Sequence, residues 1–196
     1  LKVQSIDALR TDKGGFERTD DRDAPHNLYL DTRALRKSIK ADKQLRSRMG
    51  TWGGLQFSDK PTVGSKEGQK VRIEYDTGYN VSYEYDERTS AYNRIMLGKP
   101  HLDRESKEQL SGAVVIVQTV KARAIEGDAL NRLDVDVQDK QPARIFQDGR
   151  VIEGFWEKVK RDTPTKYTTK DGQPITLKPG RVWIQIALKD GTKIDY

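Results

Sequence analysis

Apolar and polar residues alternate through two neighbouring stretches of the chain, residues 71–76 and 81–86. One side of the alternation is apolar or aromatic: Val71, Ile73, Tyr75, Val81, Tyr83 and Tyr85. The positions between them are polar or charged. Successive side chains of a β-strand point to opposite faces, so the pattern predicts two strands with one buried and one solvated face. Because Thr77-Gly78 lies between them, we expect an antiparallel hairpin.

The segment Ala113–Val120 is apolar at nearly every position, which predicts a central strand buried on both faces. Three further segments are predicted to be strands: Ala143–Phe146, Val151–Trp156 and Arg181–Leu188. In the last of these, Val182, Ile184 and Ile186 alternate with Trp183, Gln185 and Ala187. With about nine strands in all, we predict a mainly β, α+β fold: an antiparallel sandwich or a half-open barrel.

Asp-Gly pairs mark three of the predicted turns. Both residue types tolerate the positive backbone φ angles of tight hairpin turns. We therefore expect adjacent antiparallel strands on either side of each pair: Asp148-Gly149, Asp171-Gly172 and Asp190-Gly191.

The first 50 residues contain one helical candidate, a short basic helix. Asp31 or Thr32 is suited to cap it, and Leu35, Ile39 and Leu45 follow at near-helical spacing. Basic residues occupy many of the other positions: Arg33, Arg36, Lys37, Lys40, Lys43, Arg46 and Arg48. They form either an anion-binding face or the solvated side of an ordinary amphipathic helix, and we favour the second interpretation.

Composition limits the chemistry without identifying it. The 196 residues carry a net charge of +6, which suits contact with phosphates, anionic lipid or acidic wall polymers but also serves solubility. The chain has no cysteine, so thiolate nucleophiles, disulfides and Cys-ligated metal sites are excluded within it. The glycine-rich stretch Gly50–Gly54 is typical of a linker, and we predict domains over residues 1–50 and 51–196.

Six segments follow one another along the chain in a recognisable order: Ala24–Tyr29, Tyr92–Arg94, Gly98–Asp103, Val114–Gln118, Phe146–Trp156 and Leu177–Ile184. Together, these segments resemble the YerB-like family of bacterial lipoproteins. The resemblance implies an extracytoplasmic protein of two domains, tethered to the cell membrane through a lipidated cysteine and without an established activity. Residues 1–50 then correspond to the end of the first domain, and the remainder to the whole C-terminal domain. The lipid-bearing cysteine itself is not in this chain.

Within these segments the strongest candidate site consists of Arg94, His101 and Asp103. In an extended segment, His101 and Asp103 would share a face, with Arg94 on a preceding strand. Such a cluster could bind an anionic group or position a water molecule for general base catalysis. The alternative, which we favour, is structural: the segment closes a turn, and the Asp103 carboxylate accepts hydrogen bonds from the backbone or from Arg94.

His26 and Asn27 follow Pro25 and form a second candidate binding segment. Anchoring of the loop before the helix is the favoured interpretation. His26 and His101 are the only histidines of the chain, and with a carboxylate they could form a metal site if the two segments met. We expect no cofactor and no bound metal, and His26 and His101 are the candidate ligands should a metal bind.

Asp134, Asp136 and Asp139 lack the pattern of an EF-hand, so calcium is not favoured there.

Five tyrosines lie in the region of the first hairpin: Tyr75, Tyr79, Tyr83, Tyr85 and Tyr92. Tyr83, Tyr85 and Tyr92 are candidates to stack against sugar rings or partner side chains. Tyrosines with period two are more often half-buried sheet residues whose hydroxyl groups reach water.

Two classes of function follow. The favoured hypothesis is a non-catalytic module that binds a cell-envelope polymer or an envelope protein, with contact to the membrane only through the lipid anchor. The alternative is a hydrolase or transferase acting on wall polymers or phosphorylated sugars, with His101 as general base, Asp103 orienting it and Arg94 holding an anion. No nucleic-acid recognition motif is present, so nucleic acid is not expected as a partner.

Overall fold

The computed structural model describes residues 15–46, 53–75 and 78–196. The chain divides into two compact units, Leu1–Trp52 and Gly53–Tyr196. Within the described ranges, the helices are all too short or too polar to cross a membrane.

The first unit contains a small antiparallel ribbon and the basic helix. Strands β1 (Phe16–Arg18) and β2 (Leu28–Leu30) pair with each other, and helices α1 (Thr32–Ala41) and α2 (Lys43–Arg46) follow. Asp31 caps α1, as the sequence predicts, by accepting a hydrogen bond of 2.8 Å from the backbone N–H of Arg33. The helical stretch is interrupted at Asp42, whose carboxylate accepts from the backbone N–H of Leu45 at 3.0 Å.

No side chain of α1 is fully buried, although Leu35 and Ile39 are half-buried. The described basic side chains of the helical region are exposed: Arg33, Arg36, Lys37, Lys40 and Lys43. Arg48 lies outside the described residues. The helix is therefore amphipathic with a solvated basic side.

The described residues of the second unit form fourteen strands. They are β3 (Lys66–Glu67), β4 (Lys70–Tyr75), β5 (Asn80–Asp86), β6 (Ala91–Met96), β7 (Lys99–Pro100), β8 (Ser111–Gly112), β9 (Val114–Val120), β10 (Ala122–Ala124), β11 (Leu133–Val135), β12 (Lys140–Gln147), β13 (Arg150–Glu157), β14 (Lys166–Thr169), β15 (Val182–Leu188) and β16 (Thr192–Asp195). Strands β4 and β5 form the hairpin that the alternating pattern predicts.

The strands form two six-stranded sheets and a separate ribbon of β10 and β11. The first sheet has the order β14-β13-β12-β9-β15, with β3 beside β13; the second has the order β16-β4-β5-β6-β7, with β8 beside β6. The packing of the two sheets confirms the predicted β-rich α+β fold and makes it a sandwich. All strand pairs are antiparallel except β9 and β15, which are parallel.

Strand β9 is the centre of the core, and its residues are buried on both faces, as the sequence predicts. Val115 and Val117 face the second sheet and pack with residues such as Val71 and Tyr83. The opposite face of β9 packs into a second core with Trp156. The first sheet is thus covered on both sides, which explains why its central strand is apolar throughout.

The Asp-Gly turns have different roles. Asp148 and Gly149 have φ angles of 50° and 69° and join β12 to β13 as an antiparallel hairpin, as predicted. The prediction at Asp190-Gly191 is wrong, because β15 pairs with β9 in one sheet whereas β16 pairs with β4 in the other. That turn carries the chain between sheets, and it does not join neighbouring strands of one sheet.

Strand β15 presents an unusual pair of faces. Gln185 and Ala187 point into the sandwich, where Gln185 is 9% and Ala187 0% exposed. Ile184 and Ile186 lie on the outer face and are each 44% exposed. The polar Gln185 therefore occupies an inner position, next to the site described below.

Candidate functional site

Arg94 lies inside the sandwich and is only 3% exposed. Its strand, β6, alternates so that Tyr92 and Arg94 face the first sheet while Asn93 and Ile95 face outward. An inward arginine at this register places a charged group where the pattern of the sheet calls for an apolar side chain.

Hydrogen bonds hold all three nitrogens of the Arg94 guanidinium. Nε donates to the Tyr83 hydroxyl at 3.1 Å, Nη2 donates to the Tyr79 hydroxyl at 2.9 Å, and Nη1 contacts Nδ1 of His101. The guanidinium carbon also lies 4.8 Å from the centre of the Trp183 ring, which is a cation–π arrangement. We call Arg94, Tyr79, Tyr83, His101, Trp183 and Gln185 the Arg94 cluster.

The partners of Arg94 are all neutral. In the part of the chain that the structure describes, no carboxylate forms an ion pair with its guanidinium. Burial acts to lower the pKa of Arg94, but hydrogen bonds to Tyr79 and Tyr83 outweigh burial and raise it. Arg94 therefore stays protonated and forms a buried positive charge without a counter-ion among these residues.

A second layer of polar side chains supports the cluster from β15 and β4. Gln185 donates through Nε2 to the Tyr83 hydroxyl at 2.7 Å, and its Oε1 accepts from the Tyr75 hydroxyl at 3.1 Å. Tyr75 also donates to the backbone carbonyl of Ile186 at 3.0 Å. Burial, the main cause, raises the pKa of Tyr75 to about 12. These tyrosines are therefore neutral at physiological pH and do not balance the arginine.

His101 is positioned by the short connection that follows β7. Its backbone N–H donates to the carbonyl of Arg94 at 3.0 Å, and its own carbonyl accepts from the backbone N–H of Leu110 at 2.9 Å. The Gln109 side chain donates to the Arg94 carbonyl at 2.6 Å and fastens the same loop. Burial first, and the Arg94 charge second, lower the pKa of His101 below its ordinary value of 6.5. Near neutral pH, His101 is an uncharged acceptor.

Asp103 does not orient His101. Its Oδ1 accepts from the backbone N–H groups of Glu105 at 3.0 Å and Ser106 at 2.8 Å, and from the Ser106 hydroxyl at 3.1 Å. The backbone hydrogen bond from Ser106 is the main reason that the pKa of Asp103 is lowered. The carboxylate closes a turn by accepting backbone hydrogen bonds, as the favoured interpretation expects, whereas Arg94 pairs with His101 and not with Asp103.

Residues 71–184 match the model of the "Protein of unknown function (DUF3048) C-terminal domain". The chain belongs to the DUF3048 family. The match covers every member of the Arg94 cluster except Gln185, which lies one residue beyond it.

A solved structure, that of YerB protein from Bacillus subtilis, is similar to this DUF3048 chain. The two share 26% sequence identity and a TM-score of 0.73, over 92% of this chain and 59% of the YerB chain. The chain thus spans less than two thirds of that relative. No curated protein matches the sequence.

His26 and Asn27 lie in the first unit of this DUF3048 protein, in the turn between β1 and β2. His26 is exposed. Asn27 donates to the carbonyl of Thr19 at 2.8 Å and accepts from Arg18 at 2.7 Å, which ties the turn to β1. The described residues contain no group of three His, Cys, Asp or Glu side chains that could hold a metal.

The remaining candidates have structural partners. Tyr92 is fully buried and donates to the carbonyl of Gly68 at 2.9 Å, while Tyr85 packs on it with ring centres 5.1 Å apart. Both face the inside of the sandwich, so they do not form an exposed aromatic surface. Asp134 and Asp136 both pair with the single guanidinium of Arg123.

Tyr79, Trp183 and Gln185 belong to the site but are not among the residues that the sequence singled out for it. Trp183 and Gln185 are about 90 positions from Arg94 in sequence, and only the sandwich brings them together. One sequence signal was available: Gln185 is the polar residue in an otherwise apolar strand, and a buried polar side chain requires a partner.

Proposed function

We propose that this protein is a non-catalytic module of the bacterial cell envelope and that the Arg94 cluster binds an anionic group of an envelope polymer or envelope protein. The extracytoplasmic location and the lipid anchor are part of the proposal. They are supported by the YerB-like segments of the sequence, by membership of the DUF3048 family and by the similarity to YerB.

The buried charge of Arg94 carries this proposal. Removing a guanidinium from water is unfavourable by several kcal/mol, and neutral hydroxyl groups and an imidazole compensate for it less well than an anion does. Arg94 nevertheless occupies an inner position at which an apolar side chain would pack. A bound carboxylate or phosphate would supply the missing counter-charge through strong, charge-assisted hydrogen bonds.

Two members of the cluster give a ligand access to Arg94. Tyr79 is 42% exposed and His101 is half-buried, whereas Tyr83 is fully buried. Tyr79 and His101 hold the two terminal nitrogens, Nη2 and Nη1. An oxyanion that replaces these two neutral acceptors would meet the outer edge of the guanidinium, which is the edge suited to bidentate binding.

The hydrolase or transferase alternative requires Asp103 to orient His101 as a general base. Asp103 instead accepts hydrogen bonds from Glu105 and Ser106, and Nδ1 of His101 faces a cation. A base next to a guanidinium loses basicity, because the positive charge disfavours the protonated imidazole. These contacts favour binding over catalysis.

Co-sedimentation with purified bacterial wall sacculi tests the proposal, with one preparation retaining its anionic phosphodiester polymer and another stripped of it. We expect Arg94→Gln to weaken binding by at least about tenfold, because a charge-assisted contact is lost. Arg72→Gln is the matched control, because this substitution removes the same charge from an exposed position.

Each pattern of results has a clear meaning. Loss of binding with Arg94→Gln and not with Arg72→Gln supports the site, and a difference between the two preparations identifies phosphate as the recognised group. Equal binding by both variants and the wild type would refute the site. Circular dichroism confirms that each variant is folded.

A further inference from the structure

The contact between Arg94 and His101 has a property that the proposed function does not use. Nη1 of Arg94 is always a donor, so Nδ1 of His101 must accept, and the imidazole must carry its proton on Nε2. This arrangement exists only while His101 is neutral. Protonation turns Nδ1 into a donor and sets two cations against each other.

We infer that His101 gates the Arg94 cluster, so that acid converts it from a closed network, in which neutral groups hold every guanidinium nitrogen, into an open site for one oxyanion. The inference rests on the proposed function and adds its regulation. In the closed form, His101 occupies Nη1 as a neutral acceptor. In the open form, the imidazolium and the guanidinium share the oxyanion, which accepts hydrogen bonds from both.

The surroundings of His101 leave Arg94 as the charge that acts on it. The Tyr79 hydroxyl, in the connection between β4 and β5, accepts a hydrogen bond from Nη2 of Arg94. The Tyr83 hydroxyl, in β5, accepts one from Nε of Arg94. On the histidine's own loop, Asp103 accepts from Glu105 and Ser106, and Glu108 is exposed. Thus none of the described carboxylates near the loop forms a hydrogen bond with His101, and none of them acts as its counter-ion in place of the proposed oxyanion.

Thermodynamic linkage sets the direction of the effect. Burial and Arg94 lower the pKa of His101, so the gate is closed near neutrality and opens only below the ordinary pKa of histidine. An anion that binds better to the protonated form must in turn raise the pKa of His101. The affinity for the anion and the pKa of His101 therefore report the same coupling free energy between anion binding and protonation of His101.

Sulfate is a suitable probe, because its charge does not change over the pH range in which histidine titrates. We expect its affinity to be at least about tenfold higher near pH 5 than near pH 8. The two histidines provide separate nuclear magnetic resonance signals, and sulfate should raise the pKa that the His101 signal reports. The His26 signal is an internal reference in the other unit of the same chain.

His101→Gln tests the gate directly, because a glutamine can still accept from Arg94 but cannot become charged. We expect this variant to bind sulfate with the same weak affinity at both pH values, while His26→Gln behaves as the wild type. If His101→Gln does not fold, the shift of the wild-type His101 titration by sulfate decides the question.

The outcomes separate the gate from the proposed function. Sulfate binding that depends on Arg94 but is equal at both pH values would overturn the gate and leave the proposed function standing. Absence of sulfate binding at either pH would also overturn the gate, and the sacculus experiment would then judge the proposed function independently.

Discussion

Arg94 keeps its charge inside the sandwich because hydroxyl groups, an imidazole and an indole surround it in place of a carboxylate. This is unlike Glu153, a charged residue of the same unit that is surrounded by opposite charges. At the scale of single residues, Glu153 is a structural charge with its counter-ions beside it, whereas Arg94 is a buried charge to which we propose that an anion binds.

The ion pairs of Glu153 predict a loss of stability in acid. Hydrogen bonds from Lys170, Tyr196 and Lys66 lower the pKa of Glu153 to about 2. A lowered pKa in the folded state stabilises the protein above the unfolded pKa, and this contribution is lost as pH falls from about 4.5 towards 2. Glu153→Gln should reduce the free energy of unfolding by about 1–2 kcal/mol at neutral pH.

Urea unfolding of both proteins at neutral pH and near pH 3 checks the effect. The difference between wild type and variant should shrink in acid. A difference that is independent of pH would contradict the assigned ion pairs.

The buried Gln147 side chain gives a second prediction about the stability of the protein at the scale of single residues. It is 2% exposed, donates to the carbonyls of Thr62 at 2.6 Å and Thr176 at 3.2 Å, and accepts from the backbone N–H of Lys178 at 3.0 Å. Gln147→Leu removes these three hydrogen bonds, although the Thr176 carbonyl still accepts from the backbone N–H of Thr62, and should lower the free energy of unfolding by about 1–3 kcal/mol. Gln173→Leu, at an exposed position, is the control in the same urea titration. Equal stabilities of the two variants would disprove the role of Gln147.

At the scale of elements, the local pattern of apolar and polar residues predicts where the strands lie, but it does not predict which strands pair across long distances in sequence. The alternation over β4 and β5 and the apolar run of β9 report burial directly, so both were predictable. The parallel pairing of β15 with β9 depends on a partner about 70 residues away in sequence, which no local signal specifies. Trp183 and Gln185 are about 90 positions from Arg94, so no local pattern assigns them to the predicted site.

Close pairing of β13 with β14 depends on a glycine. A Cβ at Gly154 would lie 2.0 Å from the carbonyl oxygen of Thr168, so any larger residue must push the strands apart. Gly154→Ala should lower the free energy of unfolding by more than about 2 kcal/mol. Gly53→Ala is the control, because nothing lies within 4 Å of a Cβ there. Thermal unfolding that is alike for the two variants would contradict the packing of this edge.

At the scale of the whole molecule, the second unit contains two hydrophobic cores of its own. We therefore expect residues 53–196 alone to fold and unfold cooperatively, with a Tm within about 5 °C of that of the full chain. Differential scanning calorimetry of the two proteins measures this. A fragment without a cooperative transition would show that the sandwich depends on the first unit.

Anion binding by Arg94 is the central claim, and the indole N–H signals of two tryptophans test it most directly. Trp183 lies over Arg94, whereas Trp156 lies in the other core and donates to the carbonyl of Thr119 at 2.7 Å. Near pH 5, at which the His101 gate is expected to be open, titration with the purified phosphodiester wall polymer should shift the Trp183 signal to saturation and leave the Trp156 signal in place. Binding of the polymer with no shift of the Trp183 signal would contradict the account.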